Sequence, residues 1–495
     1  MGVMCFQVPR REQLGANAAE RAYMAGMEGI PWPSRARWTD QGLEIDREVD
    51  DSGNLYVPWN VNGYGEITLC TTSLMQRTRP YALDVELARG TLNRVRNQIA
   101  LWEPAGLQVT AEVVELVHDA GQHFQRAATG QHDPEQAGTA ATQSIHSAVR
   151  AIEVLMDLYS HQVLQLRHDR NSQLQTVFAS NLLNAPVAAD RTQLLADTFN
   201  AAVVPLSWAH VEETQGHWKW DLYDQQFDWC LQHGLKAMAG PLVQLAEENL
   251  PHWVYLWEDD FENLASYILG FVEAATRRFV GQVTIWNCAA RMNTTRALSL
   301  SEEQNLNLTV RAVECMRSVD PRTPLIVSFD QPWAEYVARQ GQDLTPLYFA
   351  DWLVRAELGL TGFGLEMNLG YWPRGSSGRD MLEVSQQLDR WGALGLPLVI
   401  FLTVPSDRTP DPLAAEGIQP VPGPAAHSPS PATQQQIVRQ LIPLLLSKQC
   451  VHGIVWNQLD DSQTHIFPHG GLFDSRGEAK PVCETLREIR AEHLV

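Results

Sequence analysis

The chain has 495 residues, and its 37 basic and 58 acidic side chains give a formal net charge of −21. Nucleic acids and anionic membranes are bound through a positively charged surface, so this acidity argues against both as partners. Hydrophobic residues make up 44% and charged residues 19% of the chain, which is typical of folded globular proteins and excludes wholesale disorder. We therefore expect a folded protein with neither a nucleic-acid nor a membrane partner.

The N-terminal residues indicate a cytoplasmic protein. They contain no apolar segment of the kind found in a secretory signal, and the myristoylation pattern that Gly2 suggests fails at Phe6, where Ser or Thr is needed. No apolar run is long enough to span a bilayer. The seven cysteines are scattered and form no C-x-x-C pair, which favours reduced thiols.

The first part of the chain divides into two stretches. Residues 1–80 are rich in Pro and Gly and contain short β-prone runs such as Leu55–Trp59 and Glu66–Cys70, which predict a small β-rich module. Residues 81–172 repeat apolar side chains at helical spacing, which predicts a helical segment interrupted at Gly130–Pro134.

Residues 173–495 alternate short apolar runs with helical patterns. Eight strands are predicted, over Thr176–Ser180, Ala201–Leu206, Lys236–Leu242, Val283–Asn287, Leu325–Phe329, Gly362–Glu366, Leu398–Thr403 and Gly453–Asn457. Eight strand–helix units predict an α/β fold, a (β/α)₈ TIM barrel. A doubly wound sheet is the alternative, but the Gly-rich phosphate fingerprint of that fold is missing from the sequence.

Motifs over residues 174–490 resemble the xylanases of glycoside hydrolase family ten. The C-terminal pattern is the most specific of them, and the motifs are Phe199-Asn200, Trp208, Gly216–Asp221, Leu235–Val243, Leu250–Trp253, Gly453–Trp456, Asp460, Gly471–Asp474 and Lys480-Pro481. The resemblance implies a carbohydrate-active TIM barrel that hydrolyses O-glycosidic bonds.

The same resemblance exposes two losses in the catalytic machinery. The family's general acid/base Glu follows the fourth strand, where this chain has Arg291, and its nucleophile Glu lies on the seventh strand, where the nearest match is Leu402. Retaining hydrolysis needs a pair of carboxylates, and an Arg with a pKa above about 12 cannot supply the proton. We therefore predict a degenerate site in a glycan-binding pseudo-hydrolase.

Two alternatives remain open. In the first, Glu366 and Asp330, at the ends of neighbouring strands, form a relocated hydrolytic pair facing one cleft. In the second, the barrel is a protein-interaction scaffold whose mouth is closed by side chains or by the N-terminal module. The sequence does not fix the oligomeric state.

Several further side chains are candidate substrate ligands, because strand ends are where barrel sites form and aromatic faces pack on sugars. They are Trp456, Trp208, Asn287, Arg291, Asn368 and Asp460. The histidines show no paired metal-binding spacing, so we expect no metal and no cofactor. The Pro-rich segment Pro410–Pro431 is interpreted either as a lid or as a plain surface insertion.

Overall fold

The computed structural model describes residues 2–15, 17–295, 297–340, 342, 344–421 and 428–495. The N-terminal residues form two small sheets, a four-stranded sheet in the order β3-β4-β1-β7 and a three-stranded sheet in the order β2-β5-β6. The elements are β1 (Gly2–Gln7), α1 (Ala18–Arg21), β2 (Tyr23–Ala25), β3 (Ser34–Thr39), β4 (Gly42–Arg47), β5 (Asn54–Val61), β6 (Gly65–Cys70) and β7 (Tyr81–Ala82), with a 3₁₀ turn at Arg11–Gln13. The predicted β-rich module is confirmed.

Three long helices follow: α2 (Leu83–Trp102), α3 (Ala111–Thr129) and α4 (Pro134–Arg170). The α4 helix begins where the sequence predicts, because the Asp133 carboxylate accepts a hydrogen bond from the Gln136 amide at 3.2 Å and Pro134 suits the first turn. Early in α4, Ala141 and Ile145 pack in the core of the module. Further along, Ile152 and Leu155 pack in the core of the barrel. One continuous helix therefore joins the two cores.

Eight parallel strands close into a barrel, which confirms the predicted fold. The strands are β8 (Val177–Asn181), β9 (Ala201–Val204), β10 (Lys236–Ala239), β11 (Ile285–Ala290), β12 (Leu325–Asp330), β13 (Gly362–Asn368), β15 (Leu398–Thr403) and β17 (Val451–Trp456). A two-stranded ribbon of β14 (Tyr371–Trp372) and β16 (Gln419–Pro420) lies outside the barrel order.

Helices and 3₁₀ turns connect the strands. The helices are α5 (Ala189–Thr198), α6 (Trp208–Val211), α7 (Asp221–Gln232), α8 (Phe261–Phe279), α9 (Glu302–Val319), α10 (Val337–Gln340), α11 (Pro346–Arg355), α12 (Met381–Gly392), α13 (Pro431–Ser447) and α14 (Val482–His493). The 3₁₀ turns cover Glu247–Asn249 and His252–Trp257. Among the described residues, no helix combines the length and apolar character needed to cross a membrane.

Alternation along the strands decides which side chains face the barrel interior. An inner cluster contains Val203, Ile326, Val399, Phe401 and Val455, all buried. The residues between them belong to a second cluster that packs against the surrounding helices. Strand β11 carries a register irregularity between Asn287 and Ala289, so its alternation changes just before the strand ends.

The module lies against the carboxyl end of the barrel. Arg379 Nη2, in the loop after β13, donates to the Tyr23 hydroxyl at 3.0 Å, and the Thr68 amide donates to the Gly378 carbonyl of the same loop at 2.8 Å. Ala338, which follows β12, packs with Tyr23 in a small buried cluster. Arg94 of α2 also grips the Asp380 carboxylate with two hydrogen bonds of 2.8 and 3.0 Å. The N-terminal part of the chain therefore covers one side of the face where barrel sites form.

The closeness of the inner packing can be tested at Gly364 on β13. A Cβ atom there would meet the Ser328 hydroxyl and would lie 2.9 Å from the Phe401 ring. We expect Gly364→Ala to lower the free energy of unfolding by about 1–3 kcal/mol, as overpacking does. Urea denaturation measures the change.

Gly270→Ala is the matched control, because Gly270 lies on α8 with no atom within 4 Å of its would-be Cβ. This control should be neutral or stabilising by about 0.5–1 kcal/mol. Equal stability of the Gly364→Ala and wild-type proteins would contradict the inward packing described above.

Candidate functional site

An ion pair occupies the barrel mouth. The Arg291 Nε donates to both Glu366 oxygens at 3.0 and 2.8 Å, and its Nη2 donates to Oε2 at 2.6 Å. Both side chains are largely buried, at 17% and 6% exposure. Burial opposes the charge of Arg291, but Glu366 and Asp330 outweigh it and raise the arginine pKa. The guanidinium thus stays charged and neutralises the Glu366 carboxylate.

Asp330 lies beside this pair. It is the register partner of Glu366 on the neighbouring strand, and it is 5% exposed. Its Oδ1 accepts from the Gln331 amide at 2.9 Å and from the Asn368 side chain at 3.4 Å. Burial raises the pKa of Asp330 to about 6; the Arg291 charge opposes this shift, and Glu366 adds to it. The single positive charge of Arg291 is therefore the counter-charge of two buried carboxyl groups, those of Glu366 and Asp330.

The turn residues after β11 and β12 adopt left-handed backbone conformations. Arg291 has a φ of 60°, Gln331 of 49° and Ala334 of 60°. Residues other than Gly adopt this region at a steric cost, and such strain concentrates at functional sites. With its backbone in this conformation, the Arg291 side chain reaches past β12 and bonds Glu366 on β13.

Uncharged polar groups surround the ion pair. The Asn457 amide lies 3.5 Å from Glu366 Oε2, and the Asn181 amide donates to Asn457 Oδ1 at 3.2 Å. Four further buried oxygens have no hydrogen-bond partner among the described residues, and they are Asn181 Oδ1, Asn287 Oδ1, Asn368 Oδ1 and Thr403 Oγ1. By strand alternation these side chains lie on the inner face near the carboxyl ends. The mouth is thus rich in amide and hydroxyl oxygens able to accept hydrogen bonds.

Of the side chains predicted from the sequence, Glu366, Asp330, Arg291 and Asn368 come together. Asn287 lies nearby on the inner face of β11. Three others do not join them. Trp456 and Trp208 are 2% and 4% exposed and pack in the layer between strands and helices. Asp460 is fully buried, pairs with Arg191 and accepts from the Ser462 amide at 2.7 Å.

The two tryptophans are held by hydrogen bonds and aromatic packing. The Trp456 ring donates to the Gly470 carbonyl at 3.1 Å, and the Trp208 ring donates to Glu212 at 2.8 Å while stacking on Phe271. Neither ring has a face exposed to solvent, as a sugar platform requires.

Leu402 stands at the position that the resemblance assigns to the nucleophile. Its side chain is fully buried and packs outward against the helices, while Phe401 faces inward. The next inward position is Thr403. The inference that β15 lacks a nucleophile is unaffected, because residues 398–406 contain neither Asp nor Glu.

Sequence reasoning missed Asn181, Thr403 and Asn457 as members of the site. Each stands at the end of a predicted strand, and counting in steps of two from the buried positions of that strand would have identified it as inward-facing. The residues predicted from the sequence were mainly charged or aromatic side chains, and these three are uncharged and not aromatic.

The loop after β15 is fixed to the loop after β17. Asp411 accepts from His465 Nε2 at 3.0 Å and from the His469 amide at 3.1 Å. These contacts and the β14–β16 pairing hold part of the Pro410–Pro431 segment. Residues 422–427 of that segment lie outside the described residues, so the lid interpretation stays a prediction. Among the described residues, no group of three or more potential metal ligands occurs.

Comparison with known proteins yields structural similarity only. No family model matches the chain, and no curated protein matches it. An endoxylanase of glycoside hydrolase family ten from a sugarcane soil metagenome is similar at 15% identity and a TM-score of 0.49, over 64% of this chain and 97% of that one.

Two further xylanases are similar at the same level. Xylanase 10B of Thermotoga petrophila, solved with xylobiose, has 13% identity and a TM-score of 0.48 over 68% of this chain and 96% of that one. An intracellular xylanase of Thermoanaerobacterium saccharolyticum, solved as a mutant with xylotriose, has 16% identity and a TM-score of 0.48 over 64% and 96%. The barrel assignment for this chain rests on its own strand pairing.

The ion pair makes a testable contribution to stability. Arg291→Gln leaves two buried carboxyl groups, Glu366 and Asp330, without a counter-charge and should lower the free energy of unfolding by about 3–5 kcal/mol. Glu366→Gln leaves Arg291 with Asp330 as its counter-charge and should therefore cost less. The double variant should lose less than the sum of the two, because the Arg291–Glu366 interaction is removed only once. A double-mutant cycle by chemical denaturation measures this coupling.

Arg277→Gln is the control for that cycle, since the Arg277–Glu273 pair is exposed on α8 and contributes little. Additive losses at Arg291 and Glu366 would contradict a direct interaction between them.

The raised pKa of Asp330 predicts a pH dependence of stability. The folded protein holds this proton up to about pH 6, whereas an unfolded Asp releases it near pH 4. Stability contributed by this group is therefore present below about pH 4 and is lost as the pH rises through about 6. Asp330→Asn should not show that loss of stability. Its melting temperature should therefore rise relative to that of the wild type between pH 4 and pH 7.

Asp228→Asn, an exposed substitution on α7, is the control and should follow the wild-type pH profile. A constant difference between Asp330→Asn and wild type at all pH values would refute the assignment.

Proposed function

We propose that the barrel binds a carbohydrate at the carboxyl ends of its strands and does not hydrolyse it. The observation that carries this proposal is the composition of the mouth: a carboxylate neutralised by Arg291, ringed by uncharged amide and hydroxyl oxygens. Sugar hydroxyls both donate and accept hydrogen bonds, so such a ring suits them. A buried oxygen left without a donor costs about 1–3 kcal/mol. These oxygens are covered in this structure, so a sugar would offset that cost by displacing the side chains that cover them.

The arrangement of carboxyl groups argues against retaining hydrolysis. That mechanism needs a nucleophile and an acid/base about 5–5.5 Å apart, both able to reach the anomeric centre. Glu366 is engaged by Arg291 through three hydrogen bonds, and Asp330 is 5% exposed and engaged by Gln331 and Asn368. Neither carboxylate is free to attack.

One observation favours the alternative of an active hydrolase. Asp330 and Glu366 are register partners on neighbouring parallel strands, whose backbones lie about 4.8 Å apart. A pKa near 6 would let Asp330 keep a proton for use as a general acid, and two carboxyl groups in different environments are typical of acid/base pairs. Hydrolysis through these two groups is therefore the second candidate.

A paired binding and turnover assay separates the two. Xylobiose and xylotriose, the ligands of two similar xylanases, are the first probes, followed by other oligosaccharides. Calorimetric binding without released reducing ends supports the binding protein. Turnover that is lost in both Glu366→Gln and Asp330→Asn supports the hydrolase. The absence of both binding and turnover across the whole oligosaccharide panel would contradict both candidates.

The binding role of the mouth can be tested at Thr403. Its hydroxyl has no hydrogen-bond partner among the described residues, so Thr403→Val should leave thermal stability unchanged or higher while weakening oligosaccharide binding about tenfold, the loss expected when one sugar hydrogen bond disappears. Isothermal titration calorimetry measures the affinity.

Gln193→Ala, on the exposed surface of α5, is the control and should bind as wild type does. Unchanged affinity in Thr403→Val would exclude the mouth as the place where the sugar binds.

A further inference from the structure

A concave site lies beside the barrel mouth. A cavity of about 550 Å³ opens where the β5–β6 hairpin of the module, α4, the loops after β13 and β15, and α13 meet. This volume falls within the range of small-molecule binding sites, which occur preferentially where separate structural units meet. Arg291, Glu366 and Asp330 do not line it, and its wall residues Leu369 and Val404 directly follow Asn368 and Thr403 of the mouth.

The walls of this cavity are mainly aliphatic and come from every element that surrounds it. They include Ile67 of the module, Val149 and Ile152 of α4, Leu369 and Val404 after the two strands, and Ile437 of α13. Apolar surface of this kind gains free energy when an apolar body replaces water against it. The cavity therefore favours a ligand with a hydrophobic body.

A polar cluster marks one side of the cavity. Glu153 accepts from the Tyr64 hydroxyl at 3.0 Å and from Arg150 at 2.6 Å on one oxygen, and from Gln440 at 3.0 Å on the other. These contacts tie the module, α4 and α13 together. The Glu153 carboxylate already has partners on both oxygens, so it is not the group that would meet a ligand.

Asp157 lies one helical turn beyond Glu153 and also lines the cavity. Within the described part of the chain, no hydrogen bond or ion pair engages its carboxylate, whereas the other charged lining residues are paired: Glu66 with Arg21, Asp380 with Arg94, and Arg379 with Glu335. Burial and the nearby Glu153 raise the pKa of Asp157 against the weaker opposing effect of Arg150. A cation at this point would relieve that repulsion.

We propose that this cavity binds a small amphipathic cation, with its hydrophobic body against the aliphatic walls and its ammonium group at Asp157. The net charge of −21 favours the approach of such a ligand. Because the lining comes from the module, α4 and the barrel, the bound ligand would hold these parts together and raise the unfolding temperature. The proposal is independent of carbohydrate binding at the mouth.

Three probes with one phenylbutyl body and different charges test it on the full chain: phenylbutylamine, phenylbutanol and phenylbutyrate. Calorimetry and thermal unfolding should rank the amine above the alcohol by about threefold or more in affinity, with the carboxylate weakest, as an attraction to one partly exposed carboxylate predicts. Equal affinities of the three probes, or no binding by any of them, would overturn the proposal.

Variants then locate the binding. Asp157→Asn should reduce the affinity for the amine to that for the alcohol and leave the alcohol unchanged, while Asp169→Asn, exposed further along α4, should change neither. Ile437→Trp fills the cavity and should abolish binding of all three probes. Gln436 also lines the cavity and is exposed, so Gln436→Trp disturbs no core packing. If Ile437→Trp does not fold, Gln436→Trp should fill the cavity and abolish binding in its place. An amine preference that survives Asp157→Asn, or binding that survives both fillings, would refute the site.

Discussion

The buried ion pair of Arg291 and Glu366 determines the character of the barrel mouth. It reaches from the end of β11 to the end of β13 and passes Asp330 of the intervening strand. Two acidic groups and one basic group share this small volume, so one carboxyl group lacks a full counter-charge. Asp330, which accepts hydrogen bonds from the uncharged Gln331 and Asn368, has the raised pKa because it is buried. An acidic pair able to act on a sugar would require Arg291 to withdraw, and its three hydrogen bonds to Glu366 oppose that movement.

The N-terminal module limits which parts of the mouth are available. The loop after β13 is held against it by buried hydrogen bonds of 3.0 Å, from Arg379 to Tyr23 and from Arg21 to Ser377. Ala338, after β12, packs with Tyr23 in a buried cluster. In most barrels such loops contact substrate. Here these two loops contact the module instead. The cavity beside α4 arises from the same docking, since the module supplies one of its walls.

Particular residues show how far sequence reasoning reached. The eight strands were predictable because short apolar runs alternated with helical periodicity. The proximity of Glu366 and Asp330 was also predictable, since consecutive parallel strands end side by side. It was harder to predict which side chains of each strand face the barrel interior. In β11 the register irregularity changes the alternation of inward and outward side chains. In β15 the neighbouring residues Leu402 and Thr403 face outward and inward, so an error of one position reverses the assignment. The tryptophans were ambiguous because a large flat ring suits a core as well as a sugar.

The sequence by itself determined the fold class, since hydrophobic periodicity is a local property that each strand and helix carries independently. It also determined which residues stand at the strand ends, and the resemblance drawn from it predicts that the two positions of the family's catalytic carboxylates hold none. Only the tertiary structure decided that Arg291 is the partner of Glu366, that the module covers part of the mouth, and that a cavity forms beside α4. Pairings between residues 75 or more positions apart depend on how strands and helices pack in three dimensions, and no local pattern encodes that distance.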